Sequence, residues 1–177
     1  MNRALLLAFA LLIFGCDAGV ASSESADGAS TTAVVHKDPV GVVAVLDGDT
    51  LLVARGGSTF KVRLRGVDTP ELNSDSNEPA EAYAEDARSF TFQNAGLEVG
   101  LEYDASCEPD PSPTCLDVFG RSLVYVRLGS GEDLGSELVR QGLASLLVFD
   151  DQPFDRLDAY VEDQTYAQES ALGIWSD

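Results

Sequence analysis

Histidine, cysteine and positive charge are all scarce in this chain. It has one histidine, His36, and three cysteines, Cys16, Cys107 and Cys115, in 177 residues. A structural zinc site needs four nitrogen or sulfur ligands. No second cysteine pair and no histidine accompanies Cys107 and Cys115 to complete one, and His36, standing alone, reads as a surface residue. Eleven Lys and Arg face thirty Asp and Glu, a formal charge of −19. Such a chain lacks the broad basic surface from which most nucleic-acid-binding proteins draw their affinity, and at long range it repels polyanions. An anionic ligand would have to be held by a few well-placed arginines and a metal. No apolar run is long enough to cross a bilayer comfortably, since the run at residues 4–14 falls well short of a span. There is no internal repeat and no sign of a second domain, and the length suffices for one domain with a real core.

What is present begins with a leader. Met1-Asn2-Arg3 carries one positive charge, the short apolar run follows, and Gly15-Cys16 closes it, the outline of a secretory signal over residues 1–16. Ile13-Phe14-Gly15-Cys16 also resembles the lipobox of bacterial lipoproteins, in which the cysteine is acylated and becomes the new N-terminus. Lipidation at Cys16 with anchoring in the cell envelope, and plain secretion, both stay open. Residues 17–37 are rich in Ser, Ala, Thr and Gly with no apolar period and read as a flexible tether. In an exported chain, Cys107 and Cys115 flank a short loop with three prolines and suit a disulfide. Closing so short a loop contributes about 2–3 kcal/mol.

From residue 38 on, the pattern is a small α+β domain. The Val-rich residues 40–46 predict a strand, Asp47-Gly48 a hairpin turn, residues 50–54 a second strand, and residues 59–67 a third, continuous one. A helix is predicted over residues 79–94, with Pro79 in its first turn and Gly96 past its end. Residues 97–104 and 121–128 make strands four and five. Short helices follow over residues 134–141 and 154–170. Five strands with helices after the third and fifth imply a five-stranded barrel with about three helices, the layout of an OB-fold.

The chemistry concentrates between Leu46 and Glu71. Phe60, Val62 and Leu64 alternate with Lys61, Arg63 and Arg65, so one face of the third strand is apolar and the other cationic. Asp47-Gly48-Asp49-Thr50 precedes this strand and Asp68-Thr69-Pro70-Glu71 follows it. A hard divalent cation takes oxygen ligands and a phosphate takes arginine, so carboxylates beside guanidiniums point to metal-assisted phosphodiester chemistry. Taken singly, each piece has a plain structural reading: a turn, a solvated loop, an exposed strand residue.

Several motifs in order resemble one family, the thermonucleases or staphylococcal-nuclease-like proteins: Asp-Gly-Asp-Thr, Val-Asp-Thr-Pro-Glu, Phe-Gly-Arg, Leu-Val-Arg-Gln-Gly-Leu-Ala and the terminal Ile-Trp-Ser. The likeness runs over residues 36–177 and implies an OB-fold that cleaves DNA and RNA with Ca²⁺, breaking the P–O5′ bond and leaving 3′-phosphates. Residue by residue it implies Asp49, Asp68 and the Thr69 carbonyl as calcium ligands, and Glu71 as the carboxylate that activates or orients the attacking water. Arg63 and Arg121 become the two arginines that grip the phosphate. Asp47 falls at a position near the metal, and Arg65 and Lys61 are flanking cations. Trp175 reads as packing.

The resemblance departs at the substrate pocket. Val118 and Phe119 stand where the best-known members carry Lys and Tyr before the Gly-Arg, and Leu147-Val148-Phe149 replaces a stretch with two tyrosines. The expectation is weak, salt-sensitive binding with little base preference, with Phe119 and Phe149 stacking in part. The reading is an exported, monomeric Ca²⁺-dependent nuclease. Its rivals are an OB-fold nucleic-acid-binding module that has lost the chemistry, and a calcium-binding surface lipoprotein.

Overall fold

A computed structural model of the chain describes residues 34–35, 39–73, 78–107, 115–149 and 153–176. The leader with Cys16, His36 and most of the tether lie outside the described residues. Within the tether, Val34–Val35 (β1) pairs antiparallel with Tyr103 and Glu102, so the first ordered strand lies inside the stretch read as tether.

The next strands form a meander. Val40–Asp47 (β2), Thr50–Arg55 (β3) and Ser58–Leu64 (β4) are joined by two hairpins. Val67–Asp68 (β5) follows, then helix α1 (Ala84–Ala95), strand β6 (Glu98–Tyr103) and strand β7 (Ser122–Arg127). Helix α2 (Leu134–Arg140), strand β8 (Ser145–Leu146), helix α3 (Leu157–Glu169) and a 3₁₀ turn (Gly173–Trp175) complete the chain. The sheet order β6-β2-β3-β4-β7 closes on itself because β6 also pairs with β7. All contacts of this barrel are antiparallel except β4 with β7. It is a closed five-stranded mixed barrel with three helices, an OB-fold of the α+β class. Closure leaves those strands without an open edge.

The core follows from the period-two pattern. Leu51, Val53, Val62, Leu101, Val124 and Val126 point into the barrel with no exposed surface. Leu134 and Leu138 of α2 and Tyr160 of α3 close one end. Each large side chain so buried contributes about 1.5–3 kcal/mol of transfer free energy.

Three elements differ from expectation, each for a local reason. The third strand is not continuous to Val67: it stops at Leu64, and β5 turns away to pair with β8. Gly66 makes that turn at φ +75°, and a Cβ there would lie 2.2 Å from Cζ of Phe154, so only glycine fits. The first helix begins at Ala84, five residues later than predicted. Tyr83 is left-handed (φ 67°), and Glu81 is diverted to hold Glu71: its backbone N–H donates to Glu71 O (2.9 Å) and its Oε2 accepts from Glu71 N (3.0 Å). The hairpin turn falls on Gly48-Asp49 rather than Asp47-Gly48, since Asp47 pairs with Thr50, and this shift brings Asp49 into the turn itself.

Candidate active site

The β2–β3 turn is pinned from outside. Thr91 of α1 donates its hydroxyl to Gly48 O at 2.5 Å, and a Cβ at Gly48 would lie 2.8 Å from both Ala87 Cβ and Thr69 Cγ2. The turn is therefore sandwiched between α1 and the loop after β5, and Asp49 is driven inward, 3% exposed. A carboxylate so buried must be satisfied, and it is. Its Oδ2 accepts from Thr69 N (3.0 Å) and Thr69 Oγ1 (2.9 Å), its Oδ1 accepts from Thr50 Oγ1 (3.0 Å), and Arg63 Nη1 pairs with Oδ2 at 2.5 Å.

Arg63 lies on the cationic face of β4 and stands opposite Thr50 on β3. It is nevertheless 7% exposed, because the turn and β5 close over it. Nη1 also donates to Val67 O (2.7 Å), and Nη2 pairs with Asp68 Oδ1 (2.8 Å). One guanidinium thus bridges Asp49 and Asp68 and fixes their spacing, in the forked geometry arginine offers to carboxylates.

Arg121 arrives from the far side, just before β7. Its Nε donates to Asp117 Oδ2 (2.5 Å), while Asp117 Oδ1 accepts from Arg121 N and Phe119 N (2.9 Å each). Burial works to raise the Asp117 carboxyl, but these hydrogen bonds together hold it below its ordinary range. Arg121 Nη1 reaches Thr50 Oγ1 at 3.3 Å. Since Thr50 also bonds Asp49, a chain of contacts runs from Arg121 through Thr50 and Asp49 to Thr69 and Arg63.

Arg63, Asp68, Glu71 and Arg121 line a single open cleft of about 740 Å³, with Phe119 and Phe149 also on its walls. Glu71 is pushed up to about 7 from its ordinary 4.5, first by burial, then by its hydrogen bond to Asp47 and the negative charge of Asp47 and Asp49, against a smaller pull from Arg63. Asp68 is raised too, chiefly by burial, with Arg63 lowering and Asp49 raising it. Asp47, Asp49, Asp68 and Glu71 thus stand close enough to act on one another, and two of them are pushed toward protonation.

That donor set fits a hard divalent cation. Asp49 and Asp68 supply carboxylate oxygens on either side of Arg63 and Thr69 adds a carbonyl, the oxygen chemistry calcium takes, with water filling the remaining positions. Among the described residues no group of three or more His, Cys, Asp or Glu side chains is clustered tightly enough to hold a metal by itself.

The structure brings the six residues proposed from sequence, Asp49, Arg63, Asp68, Thr69, Glu71 and Arg121, to this one place. Cys107 and Cys115 lie in the core. Their thiols are hydrogen-bonded neighbours, and burial with that neighbour pushes Cys107 up to about 12. Trp175 belongs to the C-terminal 3₁₀ turn. Sequence reasoning missed three supporting residues: Thr50, which joins Arg121 to Asp49; Asp117, which aims Arg121; and Glu81, which clips Glu71. Asp117 alone had a readable signal, an Asx-type turn four residues before the arginine.

The model of the family described as "Staphylococcal nuclease homologue" matches residues 61–177. The chain is similar to the thermonuclease of Staphylococcus intermedius, 38% identical over 136 residues, covering 76% of this chain and 74% of that one. It is similar to the thermonuclease of Staphylococcus hyicus, 34% identical over 138 residues, covering 77% and 75%. The endonuclease YncB of Bacillus subtilis is 32% identical over 133 residues, covering 74% of this chain and 58% of that one. An ordered hairpin carboxylate, a buried bridging arginine and a second arginine across one cleft thus sit in a chain that belongs to the staphylococcal nuclease family.

Proposed function

We propose that the protein is an exported, calcium-dependent nuclease that hydrolyses phosphodiester bonds of DNA or RNA and leaves 3′-phosphates. The observation that carries this reading is the convergence of Arg63, Asp68, Glu71 and Arg121 on one open cleft. The nuclease names of the family relatives support it.

Asp49, Asp68 and the Thr69 carbonyl would hold the Ca²⁺. When bound, the ion supplies positive charge against the developing charge of the phosphate. Glu71 is the general base: it takes a proton from the attacking water, and an affinity for protons near neutrality suits that task. Arg121 presents its free edge to the phosphate while Asp117 fixes its rotamer. Arg63, anchored on Val67 O, presents the second guanidinium, exchanging part of its hold on the carboxylates for phosphate oxygens. Both interactions strengthen as charge accumulates on the equatorial oxygens, which is how they lower the barrier. Phe119 and Phe149, 80% and 65% exposed on the cleft wall, offer faces on which bases stack without sequence preference.

The chain acts as a monomer outside the cytoplasm. Its leader directs export, Cys16 takes a lipid or is removed with the leader, and Cys107 and Cys115 form a disulfide. Their burial side by side supports that pairing. Intact mass of the mature protein, with and without reduction and alkylation, decides lipid and disulfide together. Plasmid digestion in Ca²⁺ against EGTA tests the activity, and digestion unaffected by EGTA would refute the calcium requirement.

A further inference from the structure

Arg65 and Lys61 enter the sequence as equivalent neighbours of Arg63, but the fold separates them. Lys61 is exposed on the outer strand surface. Arg65 lines the same cleft as Arg63 and Arg121, with its side chain only 16% exposed. Its backbone N–H donates to Val124 O (2.9 Å), continuing the β4–β7 pairing, so the residue is as firmly placed as the strand.

Its carboxylate neighbour is already satisfied without it. Asp104 Oδ2 accepts from Tyr125 Oη (2.6 Å) and Asp155 N (2.8 Å), and Oδ1 accepts from Ser106 Oγ (2.6 Å) and Ser106 N (3.1 Å). Arg65 Nε lies 3.3 Å from Oδ2 but out of hydrogen-bond alignment, and this buried nitrogen has no hydrogen-bond partner among the described residues. Arg63 and Arg121, by contrast, each spend donors on aligned partners. The buried Nε is thus held only by the charge of Asp104, while Nη1 and Nη2 make no hydrogen bond among the described residues and stay available on the cleft that Arg65 lines. In a chain with so few cations, guanidinium donors placed this way suit an anion.

We propose that Arg65 is a third phosphate contact, taking the phosphate next to the scissile one, so that the cleft favours polynucleotides over an isolated phosphodiester. The inference rests on the nuclease reading above. Arg63 is anchored on β4 and Arg65 in the turn that follows it, so the two guanidiniums enter the same cleft from separate anchors and serve neighbouring phosphates.

The test compares wild type with Arg65→Leu and Arg65→Lys on a single-stranded oligonucleotide and on a dinucleoside monophosphate. The proposal expects Arg65→Leu to lower the kcat/KM preference for the oligonucleotide about tenfold, through KM rather than kcat, and Arg65→Lys to recover most of it. In a Glu71→Gln background, oligonucleotide binding by the Leu variant should lose ~0.7 from the slope of log K against log salt, the worth of one single-strand phosphate contact. An unchanged slope and preference would overturn the proposal and leave Arg65 as a counter-ion of Asp104. An equal loss on both substrates, with a lowered melting temperature, would overturn it in favour of packing. If wild type cuts neither substrate, the nuclease reading falls, and the salt slope, which needs no cleavage, still decides Arg65.

Discussion

Asp117 touches no reacting atom in the account above, yet it decides where Arg121 points. It accepts from the Arg121 side chain and from two backbone N–H groups, a rigid mount for a flexible residue. Asp117→Asn keeps the shape but weakens the charge-assisted bond, and the expected outcome is a fall in kcat of about tenfold to a hundredfold with little change in melting temperature. Steady-state kinetics beside a thermal melt checks it. Glu71 carries a pH prediction. Its folded value of about 7 lies above the ordinary 4.5, so the folded, ion-free protein keeps a proton there that the unfolded chain releases. That contribution to stability is full below 4.5 and is lost as pH rises to 7. Calcium favours the ionised carboxylate, so the loss should shrink when Ca²⁺ replaces EGTA in melts taken across this window, and Glu71→Gln should flatten it. Charge type and spacing drew attention to residues 46–71, but the single roles of Asp49, Arg63, Asp68, Thr69, Glu71 and Arg121 were legible only through the resemblance to the thermonucleases. Thr50 and Glu81 were not, because each acts through partners that only the fold brings near, whereas Asp117 left a local signal in its Asx-type turn before Arg121.

Among the elements, the strands and the two C-terminal helices follow the apolar periods closely, whereas the two misplaced boundaries flank the site. The third strand carries an alternating pattern through to Val67, and only Gly66 interrupts it. The chain turns there at φ +75°, and the ring of Phe154, far along the chain, fills the space a side chain at Gly66 would need. Helix α1 starts late because residues 79–83 hold the Glu71 loop instead, with Asn73 Nδ2 donating to Pro79 O at 2.8 Å as a second tie. Glycine positions test this level. Gly142, at φ +67°, closes α2 against the C-terminus: a Cβ there would lie 2.2 Å from Leu172 O, and Ile174 N donates to Gly142 O at 2.8 Å. Gly142→Ala should cost at least about 2 kcal/mol, strain and clash together. Gly56→Ala, at φ +56° in the open β3–β4 turn with nothing nearby, should cost only about 1 kcal/mol. Urea unfolding of both variants gives the comparison.

At the scale of the whole molecule, a chain of formal charge −19 carries a cleft lined by three arginines. Long-range repulsion and short-range attraction therefore act on the same substrate. Salt shortens the reach of the field from about 30 Å at 0.01 M to about 10 Å at 0.1 M, weakening the repulsion of the outer surface before it reaches contacts inside the cleft. The association rate with an oligonucleotide, measured by stopped flow on Glu71→Gln, should rise over that range, and a steep fall would mean that the cleft field dominates at a distance. The overall acidity was plain in the composition, but the place of Arg65 on the same cleft as Arg63 and Arg121 was not, because charge counts carry no positions. The account's central claim is that two aspartates, one glutamate and two arginines make one calcium-dependent phosphodiesterase centre. The most direct test is digestion of DNA by wild type and Glu71→Gln, each in Ca²⁺ and in EGTA, with circular dichroism to confirm the fold. The account predicts cleavage by wild type in Ca²⁺ alone and a loss of about 10²–10⁴-fold in the folded variant. Equal digestion by both proteins, or by wild type in EGTA, would contradict it.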